Sequence, residues 1–381
     1  MLVLCSLACA AAGFSGSVLV LALPAVAHDF GARLGQIADL GSVLALGAVG
    51  AVPAAWAADR LGRRRVVPLA VACFSLADLG SGLAPSLAIL SAFRLLAVAS
   101  EIVALAVATA VVVEEFRSER RGAALAATAV SSGLGFGLAT LAYPALAPDW
   151  RLLFLAGGLG LPLALVILLG LPESAAWADA PAIKSPVGRL VRPPWRSRLI
   201  IVAGVAILSA ALYRPATLLV ALHGSRDLNL SPTWISAVIV ISGIVTAPAY
   251  LAGGAISDRW GRRTPAVALG IASALFTALT FGAGIAGYWA GSVGWSLWSS
   301  AQTPVIGAWF GELFPTRARA TAETAASVAG ALGGVAGLQL LARLETKLSL
   351  GGAVAALAIL AVGGSALLLV LPDTAGEPLP P

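Results

Sequence analysis

Ala58-Asp59-Arg60-Leu61-Gly62-Arg63-Arg64 and Ser257-Asp258-Arg259-Trp260-Gly261-Arg262-Arg263 are one short segment written twice, 199 residues apart. Each sets an acidic residue, a glycine and a run of arginines between long apolar stretches. Two further landmarks keep the same order and nearly the same spacing. Glu114 with Arg121-Gly122 returns 198 residues later as Glu312 with Arg319-Ala320, and Leu171-Pro172-Glu173-Ser174 returns 200 residues later as Leu371-Pro372-Asp373-Thr374. Three landmarks at one period mark an internal duplication, so the chain is read as two like halves.

The stretches between the landmarks decide the fold class. Hydrophobic residues make up 59% of the 381-residue chain and charged residues 11%, against roughly 45–50% and about 25% in soluble domains. Apolar runs of about 20 residues recur throughout, each long enough to cross a bilayer core as a helix. Spans are expected at 2–26, 36–57, 66–84, 87–113, 123–146, 151–171, 199–222, 233–256, 265–283, 285–311, 320–342 and 350–371. The run 265–311, rich in glycine, must hold two of them. The expectation is an all-α membrane protein with twelve transmembrane helices in two pseudo-symmetric six-helix halves. Residues 1–174 form the first half and 199–381 the second, joined by a polar, proline-containing linker at 175–198. No basic residue precedes the first span, and no A-x-A site ahead of a polar domain follows it. It is therefore read as a helix, not a removed signal.

A net charge of +6 and a pI near 9.8 suggest nucleic acid until the charges are placed. Seventeen of the twenty-four basic residues fall in loops on one side of the twelve-span arrangement, and five on the other. That is the positive-inside bias. It accounts for the basicity without nucleic acid and puts both termini in the cytoplasm of a multi-pass cell-membrane protein. Cys5, Cys9 and Cys73 lie in apolar segments with no CxxC, so they read as packing residues, with no metal site or other cofactor. His28 and His223 sit near loops of the other side with no nucleophile–base pattern, and no Walker-type GxxxxGK[ST] is present. An enzyme is not expected.

At the repeated loop the chain resembles a known family. Asp59-Arg60-Leu61-Gly62-Arg63-Arg64, with its second copy, is similar to the signature loop of the major facilitator superfamily. Glu312-Leu313-Phe314-Pro315-Thr316-Arg317-Ala318-Arg319, Pro172 to Trp177 and Pro372 to Leu379 resemble the sugar-porter and metabolite:proton symporter branch. The chain departs from that pattern at several positions. Ala55 stands for the first loop glycine, Val98, Ser100 and Ile102 replace the glycines that follow Arg94, and Gly307 replaces a tryptophan in span 10. Span 1, with Phe14-Ser15-Gly16-Ser17, lacks the aspartate of many proton symporters.

The resemblance implies a conformational latch formed by Asp59, Gly62 and Arg63, with Asp258, Gly261 and Arg262 as its second copy. Glu114 with Arg121 and Glu312 with Arg319 fit the same charge network. From the residues alone, Asp59 and Asp258 begin tight turns, with Gly62 and Gly261 free to take positive φ. The plainer reading is that basic loops only fix topology. Ionisable residues within spans are functional suspects. Arg94 and Glu101, two helical turns apart on span 4, share a face, and Arg214 sits beside Pro215 in span 7. The resemblance puts spans 1, 4, 7 and 10 around a substrate cavity, where Arg94, Glu101 and Arg214 would handle substrate or protons. Against this, Asp78 of span 3 lies at the depth of Arg94 and offers a structural ion pair. Tyr288, Trp295 and Gln302 recur every seven residues in span 10 and could stack on and hydrogen-bond to a solute, or simply pack. Gly133, Gly135 and Gly137, and the glycines from Gly330 to Gly337, suit close helix packing.

The function implied is secondary active transport of a small organic solute, an organic acid or sugar-like metabolite, by proton-coupled symport and alternating access. The alternative is a proton-driven efflux antiporter, against which Gly135-Phe136 counts, since drug antiporters of the superfamily often carry Gly-Pro there. The partners are then a small organic solute, protons and the lipid bilayer, with the chain acting as a monomer.

Overall fold

The computed structural model describes residues 1–61, 63–115, 118–147, 149–172, 192–314 and 319–374. Among these residues every regular element is a helix, as expected where a bilayer offers the backbone no hydrogen-bond partner. The first half runs α1 (Leu2–Asp29), α2 (Leu34–Leu61), α3 (Arg63–Gly82), α4 (Leu87–Glu115), α5 (Ser118–Leu146), α6 (Trp150–Gly157) and α7 (Gly160–Gly170). The second runs α8 (Trp195–Arg226), α9 (Pro232–Trp260), α10 (Arg263–Gly282), α11 (Gly284–Leu313), α12 (Arg319–Glu345) and α13 (Leu350–Leu367), ending in a 3-10 turn at Leu368–Val370. With α6 and α7 taken as one broken span, these are the twelve transmembrane helices. Among the described residues, ten spans are by length and composition apolar enough to cross a membrane. The other two are α2, whose described apolar stretch is Leu34–Gly47, and α11, which carries several serines and Gln302.

The long run 265–311 divides at Ala283, between Gly282 and a Gly284 held at φ +60°, a left-handed conformation that suits glycine. Span 6 breaks between Gly157 and Gly160. A Cβ on Gly157 would overlap Asp78, and one on Gly160 would overlap Ser75. The glycines therefore let α3 press into the break and bury the Asp78 carboxylate there.

The chain forms two compact units, residues 1–182 with 231–236, and 183–230 with 237–381. Corresponding helices pack in corresponding pairs, α1 on α5 and α8 on α12, then α3 on α4 and α10 on α11. Glycines set the closeness of the first kind of pair. A Cβ on Gly135 would collide with the carbonyl of Ala10, and one on Gly337 with that of Ala211. Gly133 and Gly137, by contrast, face open space, so only the middle glycine of that trio packs. Gly135→Val should push α5 off α1 and destabilise the fold by about 1–3 kcal/mol, the usual penalty of overpacking. The matching readout is a lower melting temperature in detergent, and Gly133→Val should leave it unchanged.

One expectation is corrected. Asp59 and Asp258 do not begin turns, because α2 runs to Leu61 and α9 to Trp260. Each lies in the last turn of its helix. The second loop is confined to Gly261 and Arg262, with Gly261 at φ +84°. Gly62, the linker residues 175–191, and the side chains of Asp59, Glu114, Arg121, Asp258, Arg319 and Glu323 lie outside the described residues.

Candidate functional site

Four polar side chains from α1, α3 and α4 meet in the interior of the first unit. Arg94, 1% exposed, donates through Nη1 to Asp78, which is 0% exposed. Its Nη2 reaches the Ser15 carbonyl at 3.1 Å and Glu101 Oε1 at 3.3 Å. Ser15 Oγ donates to the same Glu101 oxygen at 2.6 Å. The face of Phe154 lies 5.6 Å from the guanidinium carbon. The structural pair of Arg94 with Asp78 is present, and Arg94 also reaches Glu101 two turns along its own helix, because a guanidinium carries donors on two edges.

The local structure explains the placement. Seven residues on a helix return to nearly the same face about 10 Å along the axis, a gap that a long arginine side chain spans. Glu101 Oε2 lies 3.3 Å from where a Cβ on Gly16 would stand, so the glycine of α1 leaves room beside that oxygen. Two carboxylates face one guanidinium. Among the described residues no other basic side chain bonds to either of them. With both ionised the cluster carries one negative charge, and with one proton bound it is neutral.

In the second unit the expected site residues are dispersed. Tyr288 is fully buried, and its hydroxyl donates to the Val220 carbonyl at 3.1 Å, which ties α11 to α8. Trp295 stacks on Tyr213 at 6.3 Å between ring centroids and 11° between planes. Gln302 Nε2 donates to the Ala266 carbonyl at 2.9 Å. The seven-residue stripe does share a face, and that face is turned onto α8 and α10. Arg214 lies on α8, exposed, its stem over Gly334 of α12. Trp298 lies beside Phe276, with ring centroids 6.3 Å apart and planes tilted by 52°.

A second polar network closes one end of this unit. Arg262 donates to Glu312 through Nε at 3.2 Å and Nη2 at 3.0 Å, and through Nη1 to Ser257 Oγ at 2.7 Å. Thr374 Oγ1 donates to Glu312 Oε2 at 2.6 Å. Asp373 accepts the backbone N–H groups of Arg262 at 3.0 Å and Arg263 at 3.3 Å, capping the start of α10. A Cβ on Gly261 would come within 2.7 Å of that carboxylate, so the positive φ and the missing side chain serve the same contact. Of the expected latch residues, Gly261, Arg262 and Glu312 are therefore brought together. In the first unit Arg63 is half-buried at the start of α3. Asp373→Ala should remove the cap and lower stability by about 1 kcal/mol, seen as a lower melting temperature that Asp373→Asn largely restores.

Four contributors escape the sequence reading. Ser15 looks like any small residue of span 1. Asp373 caps a loop 111 residues earlier, and Thr374 bonds to Glu312, 62 residues earlier. His223 has a partner after all, since its Nδ1 lies 2.8 Å from Asp227, with Phe281 and Tyr288 beside the ring. The four-residue spacing on one helix was the available signal there.

The model of the Major Facilitator Superfamily matches residues 5–338. A gallate transporter of Pseudomonas putida is 36% identical over 187 residues, 47% of this chain and 41% of that protein. A probable 4-methylmuconolactone transporter of Cupriavidus pinatubonensis is 25% identical over 376 residues, 93% of this chain and 86% of that protein. A crystal structure of a D-xylose–proton symporter superposes with a TM-score of 0.78 at 17% identity, covering 99% of each chain.

Proposed function

We propose, from the premise that the chain belongs to the Major Facilitator Superfamily, that it carries a small organic carboxylate into the cell together with a proton. The chain is a multi-pass membrane transporter of small organic solutes and not an enzyme. The Asp78–Arg94–Glu101 cluster is the observation that carries the proton-coupled reading. A buried net charge is expensive inside a membrane, so a cluster that is neutral with one proton and charged without it ties helix movement to proton binding. Asp78 is closed off, whereas Glu101 keeps 7% of its surface exposed and has room beside Oε2. Glu101 is therefore the residue that takes and releases the proton. Asp78 serves as the fixed counter-charge of Arg94, and Ser15 orients Glu101.

The substrate class follows from the relatives. One is named for gallate, an aromatic carboxylate, and one for 4-methylmuconolactone; the match covers 41% of the first and 86% of the second. An organic acid fits better than a sugar. Trp295 and Tyr213, half-buried and stacked on each other, supply aromatic surface in the second unit. The Arg262–Glu312–Thr374 network acts as the second-half latch, with Asp258, Gly261 and Arg319 as its further members, and Asp59, Gly62, Arg63, Glu114 and Arg121 form the first-half copy. It holds one state of an alternating-access cycle and opens in the other. The basic loops and both termini are cytoplasmic, and the chain works as a monomer in the cell membrane.

The test is proton flux in proteoliposomes that enclose a pH-sensitive dye, challenged in turn with gallate, benzoate, xylose and a lipophilic cation. A carboxylate is expected to acidify the lumen, and xylose to leave it unchanged. Protons leaving an acid-loaded lumen in response to the lipophilic cation alone would replace import by efflux.

A further inference from the structure

Two arginines lie within the spans, and the structure treats them oppositely. Arg94 is enclosed and matched by two carboxylates. Arg214 is exposed, and among the described residues no carboxylate or other acceptor meets its guanidinium. Its position is deep. The helix end at Arg226 lies about 18 Å away at about 1.5 Å per residue, farther than an arginine side chain extends. A cation so placed is functional by default.

Its stem is also held in place. A Cβ on Gly334 would come within 2.8 Å of Arg214 Cγ, and Gly333 and Gly337 bring the α12 backbone against that of α8 at Ile207 and Ala211. The arginine therefore rests on a glycine floor that fixes where its head points.

The duplication supplies an independent observation. At the 199-residue offset, Arg214 occupies in α8 the position that Ser15 occupies in α1. Ser15 is the α1 residue in direct contact with Glu101 and Arg94. The same place in the repeat thus serves an acidic centre in one half and presents a cation in the other.

We propose that Arg214 is the counter-charge for the carboxylate of the transported solute, so that the first half carries the proton and the second half carries the anion. The proposal rests on the reading of the chain as a proton-coupled carboxylate transporter. A guanidinium pairs with a carboxylate through two parallel hydrogen bonds, and it offers nothing comparable to a neutral amide. The ligand class is therefore an anion with a free carboxylate.

The experiment uses the full chain in lipid-free detergent and compares benzoate and adipate with their amides by calorimetry. The wild type should bind at least one acid about tenfold or more tightly than its amide. Arg214→Gln should erase that preference, and Arg214→Lys should keep part of it. Arg214→Gln binding the acid as tightly as the wild type overturns the proposal and leaves the carboxylate reading standing. A wild type that binds neither acid overturns both. Arginine-specific labelling of the wild type with phenylglyoxal, mapped by mass spectrometry, needs no variant. Labelling of Arg214 should be slowed several-fold by the bound acid and not by the amide, and equal labelling in both contradicts the assignment.

Discussion

Glu101→Gln is expected to abolish uphill uptake while leaving exchange of the solute across the membrane intact. Glutamine keeps the shape of the side chain and still accepts from Ser15, but it never carries the charge. With Asp78 ionised against Arg94, the cluster is then neutral without a bound proton. Helix movement no longer waits for a proton, and nothing links the solute gradient to the proton gradient. In proteoliposomes with an inward proton gradient, wild-type accumulation should exceed that of the variant by the full driving ratio. Counterflow, in which loaded solute exchanges for labelled solute without a gradient, should stay within a factor of about three. Loss of both activities would assign Glu101 to solute binding, and retention of both would move the proton elsewhere.

Arg94→Ala has the second large effect, on the fold itself. The substitution leaves Asp78 and Glu101 facing each other's charge with the cation gone from a site 1% exposed. Removing one member of a buried ion pair usually costs about 3–5 kcal/mol, because the partner stays behind unpaired. Little monodisperse protein is expected after extraction. Arg94→Ala combined with Asp78→Asn removes one of the two unpaired charges and should recover part of the folded yield, with coupling lost. A single variant that melts like the wild type would show that the cluster contributes little to stability.

The bilayer made most of the fold legible. It forces each span into an unbroken apolar run, and the duplication at 199 residues predicts two like halves. What stayed hidden depends on contacts between distant segments. The break in span 6 is visible in sequence only as Gly157, Gly158 and Gly160, and its reason is Asp78 on another helix. The site was half legible. The spacing of Arg94 and Glu101 put them on one face, and depth matched Asp78 to Arg94. That one guanidinium would serve both, with Ser15 as a third partner, depends on the distance between α1 and α4, which periodicity does not report. The stripe Tyr288, Trp295 and Gln302 was correctly one face. Its partners, Val220, Tyr213 and Ala266, come from two other helices and turn that face inward. Asp59 and Asp258 were misplaced because helix ends are the least legible features of a sequence.

The most direct test of the coupled transport of a carboxylate and a proton is its accumulation ratio in proteoliposomes at several imposed pH differences. Protein-free vesicles correct for passive entry of the neutral acid. For one proton per monocarboxylate, the ratio should rise about tenfold per pH unit, because each unit supplies about 1.4 kcal/mol, and it should stay near one in Glu101→Gln. A wild-type ratio that stays near one at every pH difference, or that falls as the inward proton gradient grows, would contradict the account.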